Sequence, residues 1–292
     1  MEEINAAIIG SGNIGSDLLV KIIRSKYIKC SLFVGRDLNS KGIIHAKKLG
    51  IKTSSESIEA LEKESGKYDI IFDATSAEMH KQNSQRLSKL EKFVIDLTPA
   101  KTGKMCVPYM NLKECLKEKE INLVSCGGQA TIPVAHVIKE TYPDVKYIEN
   151  VTSIASKSAG PATRQNIDEY VQTTQDAIRY FSSVDKTKVI LNLNPADPPI
   201  NMHNTTYVEV NDDIDLPLLN IKLKEMVKKI QSYVPGYNLF LGPLYKDGVI
   251  TIMNEVVGLG DYLPKYAGNM DIMTCAALTV AEEYSKGMMK KR

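Results

Sequence analysis

A cysteine set between a short apolar run and a helix-like segment is the group in this sequence best placed for covalent chemistry. Ile121-Asn122-Leu123-Val124 leads into Ser125-Cys126-Gly127-Gly128-Gln129-Ala130-Thr131, and Pro133, Val134, Val137 and Ile138 follow. This layout puts the Cys126 thiol at the exit of a strand and on the N-terminus of a helix. There the unpaired backbone N–H groups and the positive end of the helix dipole favour a thiolate over a thiol. The same N–H groups can stabilise an oxyanion once the sulfur has attacked a carbonyl. Gly127 and Gly128 leave room for a substrate to approach the backbone. An inert cysteine in a tight turn would have the same local sequence, so the rest of the chain must decide.

The second chemical feature lies at the start of the chain. Ile4 to Ile9 runs into Gly10-Ser11-Gly12-Asn13-Ile14-Gly15, followed by Leu18, Leu19, Ile22 and Ile23 at helical spacing. In such a strand, glycine turn and helix, the first glycine permits the turn, the second admits a pyrophosphate and the third lets helix pack on strand. The next strand, Cys30 to Val34, ends in Gly35-Arg36-Asp37. Asp37, about 20 residues beyond the turn, is where an acid would bind the adenine ribose hydroxyls. That favours NAD, while Arg36 beside it keeps NADP open.

A proton must leave any adduct formed on the thiol, and the chain has four histidines. His45 and His80 fall on helices of the first half and are expected to be solvated. His136 follows Cys126 on its helix and is expected to pack. His203 is the residue of choice for the proton acceptor.

The elements that position these groups alternate strand with helix. Further strands are expected at Tyr68 to Asp73, Phe93 to Asp96 and Ile121 to Val124, with helices at Lys41 to Leu49, Ser57 to Leu61, Met79 to Leu90 and Leu112 to Lys119. The pattern implies a doubly wound parallel sheet of α/β type, with ligands at the carboxyl ends of its strands. Gly10, Thr75, Thr98-Pro99-Ala100 and Cys126 all fall at such ends, so the cofactor turn and the thiol are expected to share one crevice.

From Tyr147 longer extended runs indicate a second domain of α+β type. Residues 1–125, with a C-terminal return over 258–292, are expected to form the dinucleotide-binding domain, and residues 126–257 the catalytic domain. Asn166-Ile167-Asp168-Glu169 reads as a capping box opening a helix to Phe181. Leu216 to Tyr233 is an amphipathic helix, and Leu239 to Leu244 with Val249 to Val256 form a hairpin around Lys246-Asp247-Gly248. An Ala-rich helix from Ile272 to Tyr284 returns to the first domain.

Composition narrows the function. The 292 residues suffice for about two domains. A formal net charge of +2 gives no electrostatic case for nucleic acid or a membrane surface. The five cysteines, Cys30, Cys106, Cys115, Cys126 and Cys275, lack CxxC pairing, so no metal site is expected and reduced thiols in the cytoplasm are. The acidic start Met1-Glu2-Glu3 runs straight into a strand pattern and does not read as a signal peptide. No apolar run approaches the roughly 20 residues a membrane span needs.

Taken together, Gly10-Ser11-Gly12-Asn13-Ile14-Gly15, Ser125-Cys126-Gly127-Gly128-Gln129-Ala130-Thr131, Lys157-Ser158-Ala159-Gly160-Pro161, Asn194-Pro195-Ala196 and Gly260-Asp261-Tyr262-Leu263-Pro264-Lys265-Tyr266-Ala267-Gly268-Asn269 resemble the acylating acetaldehyde dehydrogenases of bacterial meta-cleavage pathways for aromatic hydrocarbons. The resemblance covers nearly the whole chain. It implies a Rossmann domain, a second domain like that of glyceraldehyde-3-phosphate dehydrogenase, and conversion of a short aldehyde, NAD and coenzyme A to acyl-CoA and NADH. It also implies a homodimer within a larger assembly, in which a 4-hydroxy-2-oxovalerate aldolase passes on the aldehyde through a tunnel. By this resemblance Cys126 carries the acyl thioester. Gly12 to Gly15, the run Ser158, Ala159, Gly160, Pro161, Ala162, Thr163, Arg164, Gln165 and Asn166, and also Asn269 contact NAD, and Asn166 and Ile167 gate the tunnel. Where the family often has Arg-Asp, this chain has His203-Asn204, and His203 is the expected substitute for the aspartate.

Two other readings compete. A phosphorylating semialdehyde dehydrogenase would need arginines beside the thiol to hold phosphate, and only Arg164 is a candidate. A non-catalytic NAD-binding regulator would need an output surface such as a basic helix-turn-helix, for which no segment has the charge.

Overall fold

The computed structural model describes residues 3–211 and 214–290; the side chain of Ala162 lies outside the described residues. The chain divides into two compact units. One runs to Leu123 and takes up Asp261–Leu263 and the chain from Met273; the other comprises Val124–Gly260 and Pro264–Ile272.

In the first unit, apolar runs make strands buried on both faces, as a sheet covered by helices requires. Strands β1 (Ile4–Ile9), β2 (Ile28–Val34), β3 (Thr53–Ser54), β4 (Ile70–Asp73), β5 (Phe93–Asp96), β6 (Lys104–Met105) and β7 (Glu120–Asn122) form one sheet in the order β3-β2-β1-β4-β5-β7-β6. All its pairs are parallel. Its connections carry α1 (Asn13–Ile23), α2 (Lys41–Lys48), α3 (Ser57–Lys63), α4 (Ala77–Lys89) and α5 (Pro108–Cys115). The strand order reverses between β1 and β4, the switch point at which doubly wound sheets take their ligands. This is the expected α/β sheet. The helix expected at Leu112 to Lys119 starts earlier, because Pro108 supplies a preset first-turn φ.

The C-terminal return is present. Helix α10 (Gly268–Met289) enters the first unit at Met273. There Thr274 donates to the buried Asp17 carboxylate (2.6 Å), which also accepts from the buried Lys21 ammonium (2.5 Å). Tyr284 stacks on Phe93 at a centroid distance of 4.2 Å.

The second unit is built on a mixed sheet of β8 (Tyr147–Ala155), β9 (Thr187–Asn194), β10 (Met202–Glu209), β11 (Tyr237–Lys246) and β12 (Val249–Val256), in the order β11-β12-β10-β8-β9. Only β8 and β9 run parallel. Its helices are α6 (Cys126–Thr141), the short α7 (Pro161–Gln165), α8 (Ile167–Ser182) and α9 (Leu216–Gln231). The expected hairpin is there, with Asp247 and Gly248 both at positive φ (49° and 81°), the two-residue turn that matches strand twist. Along β8, β10 and β12 buried and part-exposed residues alternate, so one sheet face is covered and the other open.

Candidate active site

Cys126 is the first residue of α6, as its sequence setting predicts. The strand expected to reach Val124 stops at Asn122, because Val124 takes φ +63°, an uncommon conformation for a β-branched residue. That bend turns the chain from the sheet into the helix. Ser125 is the N-cap, its hydroxyl accepting from the Gly128 N–H at 2.9 Å. The same hydroxyl lies 2.6 Å from Thr174 Oγ1 on α8, which fixes one helix to the start of the other. Gly128 has no room for a side chain, since an added Cβ would stand 2.7 Å from Val124 Cγ1.

Beneath this helix start lies a layer of buried polar side chains on the covered face of the sheet. Thr131 donates to Asn150 Oδ1 (2.8 Å), Asn150 Nδ2 to Thr152 Oγ1 (3.0 Å), and Thr152 to Asn204 Oδ1 (2.6 Å). Pro133 removes one N–H from α6. In the same turn, the Ala130 carbonyl accepts from the Tyr237 hydroxyl (2.7 Å) and Asn254 Nδ2 (3.2 Å). The Asn204 Nδ2 and Asn254 Oδ1 atoms, on residues paired across β10 and β12, are buried without protein partners.

Tyr170, in the first turn of α8, faces the thiol. A Cβ on Gly127 would be driven into its hydroxyl and would stand 2.7 Å from Thr152 Oγ1. Burial pushes the Cys126 thiol up to about 11, against the pull of Tyr170 and of the backbone N–H groups of Gly127 and Cys126. The sequence expectation of a thiol already favoured as thiolate is therefore corrected: desolvation outweighs the helix terminus. Taken as a whole residue, Cys126 is part-buried. Burial, and then the charge on Cys126, hold the Tyr170 phenol well above its ordinary range, so it stays protonated. Sequence reading passed over Tyr170; the available signal was the i, i+4 pair Tyr170 and Thr174, on a helix face that also carries the hydroxyls of Thr173 and Ser182.

His203 does not meet the thiol. Its neighbour Asn204 faces α6, and successive strand residues point to opposite faces. The His203 ring stands on the open face, 4.9 Å from the Phe240 ring and 3.4 Å from a Glu255 carboxylate oxygen. His136 is half-buried on α6, 3.4 Å from Glu140. The expectation that His45 and His80 are solvated is also corrected. His45 packs against Tyr262 (5.0 Å between centroids). His80 is wholly buried, with Nδ1 2.8 Å from Asp73 and Nε2 3.3 Å from Glu120 and 3.5 Å from Asp96. Burial works against charge on His80, yet these three carboxylates push its pKa up to about 10.

In the first unit the glycine turn has the local geometry a dinucleotide needs. Gly10 sits at φ +114°, where a Cβ would overlap the Ala74 carbonyl, and a Cβ on Gly15 would overlap the carbonyl oxygen of Gly10. Gly12 faces open space, with nothing within 4 Å of a Cβ there, and as N-cap of α1 it offers no side chain to that helix's free N–H groups. Ser40 donates to Ser11 at 3.1 Å, which draws the loop carrying Asp37 to the turn. The Asp37 carboxylate is exposed and accepts from the Asn39 N–H (2.8 Å).

The other expected cofactor contacts lie in the second unit. Ser158 donates to the Ala155 carbonyl (2.8 Å). Arg164 folds back on its own loop, Nε to the Ala159 carbonyl and Nη2 to the Ser156 carbonyl (both 3.0 Å). Asn166 is buried at the start of α8, but its side chain caps no helical N–H, so the expected capping box does not form. Asn269 is buried with Oδ1 lacking a protein partner, an acceptor suited to a ligand amide. In the first unit, an open second glycine and an uncapped helix start fit the pyrophosphate of a dinucleotide.

Among the described residues no helix is long and apolar enough to cross a membrane. The fold has a known counterpart: the crystal structure of aspartate semialdehyde dehydrogenase II complexed with ASA, from Vibrio cholerae, superposes with a TM-score of 0.63 over 96% of this chain and 98% of that one, at 13% identity. A family model described as prokaryotic acetaldehyde dehydrogenase, dimerisation, matches residues 126–264. An acetaldehyde dehydrogenase of Spirochaeta aurantia is 50% identical over 97% of this chain and 95% of its own length. One of Geobacillus stearothermophilus is 47% identical over 98% and 97%. With a cysteine-headed helix, a glycine turn on a doubly wound sheet and identity of this extent along almost its full length, the chain belongs to the acetaldehyde dehydrogenase family.

Proposed function

We propose that the chain oxidises a short aldehyde, acetaldehyde first among them, to an acyl-CoA, using NAD and coenzyme A, with Cys126 as nucleophile. The observation that carries this reading is the Cys126 thiol on the first turn of α6, where Val124 at positive φ and the N-cap Ser125 set the helix start and the Gly127 and Cys126 N–H groups act on the sulfur. The thiolate attacks the aldehyde carbon, a C–S bond forms, and the carbonyl electrons move to oxygen. The N–H groups at the helix start hold that oxyanion. Bound NAD supplies the two-electron acceptor that turns the adduct into a thioester. The coenzyme A thiolate then attacks the thioester carbon, and Cys126 leaves as thiolate. Gly10, Ser11, Gly12, Asn13, Ile14, Gly15 and Asp37 would hold the adenosine and pyrophosphate, and the 158–166 loop with Asn269 the nicotinamide half.

Transfer to phosphate is disfavoured, since the Arg164 guanidinium is spent on Ser156 and Ala159. The open face of the second sheet, with Tyr207 and Phe240 exposed, is the surface we assign to a homodimer. A 4-hydroxy-2-oxovalerate aldolase is the proposed source of aldehyde, and the cytoplasm the proposed compartment.

Incubation with acetaldehyde and NAD, coenzyme A withheld, should add an acetyl group to the Cys126 peptide by mass. Coenzyme A but not phosphate should then discharge it. A Cys126 peptide that is never acylated would remove the reading.

A further inference from the structure

The Tyr170 hydroxyl has no part in the steps set out above, and its position calls for one. Thr174, one turn further along α8, ties that helix to the Ser125 cap of α6, so Tyr170 is held over Gly127. The residue is 7% exposed, and its hydroxyl closes no hydrogen bond of good geometry with any protein atom. Leaving such a group unpaired is costly, so it needs an acceptor at some stage.

Two acceptors adjoin it, Thr152 Oγ1 and the Cys126 sulfur. Thr152 already takes the Asn150 amide proton and gives its own proton to Asn204. The sulfur becomes a charged acceptor on ionisation, and charge-assisted hydrogen bonds are roughly twice as strong as neutral ones. Demand for such a donor is high, because Tyr170 is the side chain that acts on the thiol and His203 is on the other sheet face.

We propose that Tyr170 is a catalytic hydrogen-bond donor to Cys126, engaging the sulfur whenever it is a thiolate, before attack on the aldehyde and again as the acyl group departs. The phenol keeps its proton throughout; the thiol proton goes to water on ionisation, and no further base or co-reactant is consumed. This rests on the assignment of Cys126 as nucleophile.

The test follows alkylation of the Cys126 peptide by iodoacetamide as a function of pH, in wild type and in Tyr170→Phe. A hydrogen bond to a charged group holds the thiol midpoint down by about one to two pKa units. The midpoint should therefore rise by that much in Tyr170→Phe, with alkylation below it slowed roughly 10- to 100-fold. Fluorotyrosine at position 170 keeps the volume, donates more strongly and should lower the midpoint, which decides the matter if the Phe variant folds poorly. An unmoved midpoint overturns the role of Tyr170 while wild-type Cys126 still acylates; a wild-type Cys126 that never acylates removes the nucleophile assignment and this proposal with it.

Discussion

Two glycines of one turn should respond in opposite ways to the same added methyl group. On Gly15 a Cβ would overlap the Gly10 carbonyl oxygen, stand 3.1 Å from that carbonyl carbon and 3.5 Å from Ile8 Cγ2. Backbone in a buried strand-to-helix turn cannot swing aside, so overpacking near the upper end of about 1–3 kcal/mol applies, less about 1 kcal/mol gained in helix propensity. A net loss of about 2 kcal/mol should lower the unfolding midpoint of Gly15→Ala by roughly 4–8 °C. On Gly12 the Cβ meets nothing within 4 Å, and its φ of −79° suits alanine. Any loss of capping preference is offset by the reduced entropy of the unfolded chain, so the midpoint of Gly12→Ala should stay within about 2 °C of wild type. The methyl group would, however, stand where a pyrophosphate must touch the backbone, and loss of one charged hydrogen bond weakens NAD roughly 10- to 100-fold. Calorimetric titration gives the affinity and thermal melting the stability, with saturating NAD raising the wild-type midpoint and not that of Gly12→Ala. Wild-type NAD affinity in Gly12→Ala would refute the cofactor assignment; a wild-type melt in Gly15→Ala would refute the packing argument.

The buried His80 cluster should make stability fall as pH rises. The His80 pKa is raised from 6.5 to about 10, so its contribution is complete below about pH 6.5 and lost as pH climbs through 10. Burial, tempered by His80, pushes Asp96 up to about 7, so forcing its ionisation costs stability between about pH 4 and 7 in the same direction. His80→Ala leaves Asp73, Asp96 and Glu120 without their cation and should cost about 3–5 kcal/mol near neutral pH, read from urea unfolding; a wild-type midpoint would sink the assignment. His203→Ala should leave NADH formation and its pH profile within about twofold of wild type, because a ring on the far sheet face cannot relay the thiol's proton; a large loss of turnover would contradict that geometry.

What could be read from the sequence was whatever a local pattern encodes. Gly10 to Gly15 needs only its neighbours to make sense, and so does the strand-to-helix setting of Cys126. The parallel, doubly wound character of the first sheet followed from alternation of element types. The histidines were misplaced for a different reason: burial of His80 comes from Asp96 and Glu120, which lie on other strands, and no window around residue 80 contains them. Tyr170 escaped notice for the same cause, being 44 residues from the sulfur that it faces. For His203 no strand was read in the sequence, whereas β10 begins at Met202, and in a strand a shift of one residue exchanges the two faces.

That last point bears on why the second unit buries so many amides and hydroxyls. Asn150, Thr152, Asn204, Thr206 and Asn254 are all wholly buried on the covered face of one sheet, where apolar residues would cost less. Apolar packing would also let α6 slide or turn with little penalty, since greasy contacts are non-directional. The chain from Thr131 through Asn150 and Thr152 to Asn204 has direction, as has the pairing of Tyr237 and Asn254 with the Ala130 carbonyl. Moving α6 by one residue would unpair every one of these groups at once, at about 1–3 kcal/mol each. The polar layer therefore fixes where α6 begins, and a thiol on its first residue inherits that position to within a hydrogen bond. A hydroxyl on α8, clamped to the same helix start through Thr174 and Ser125, is located by the same constraint.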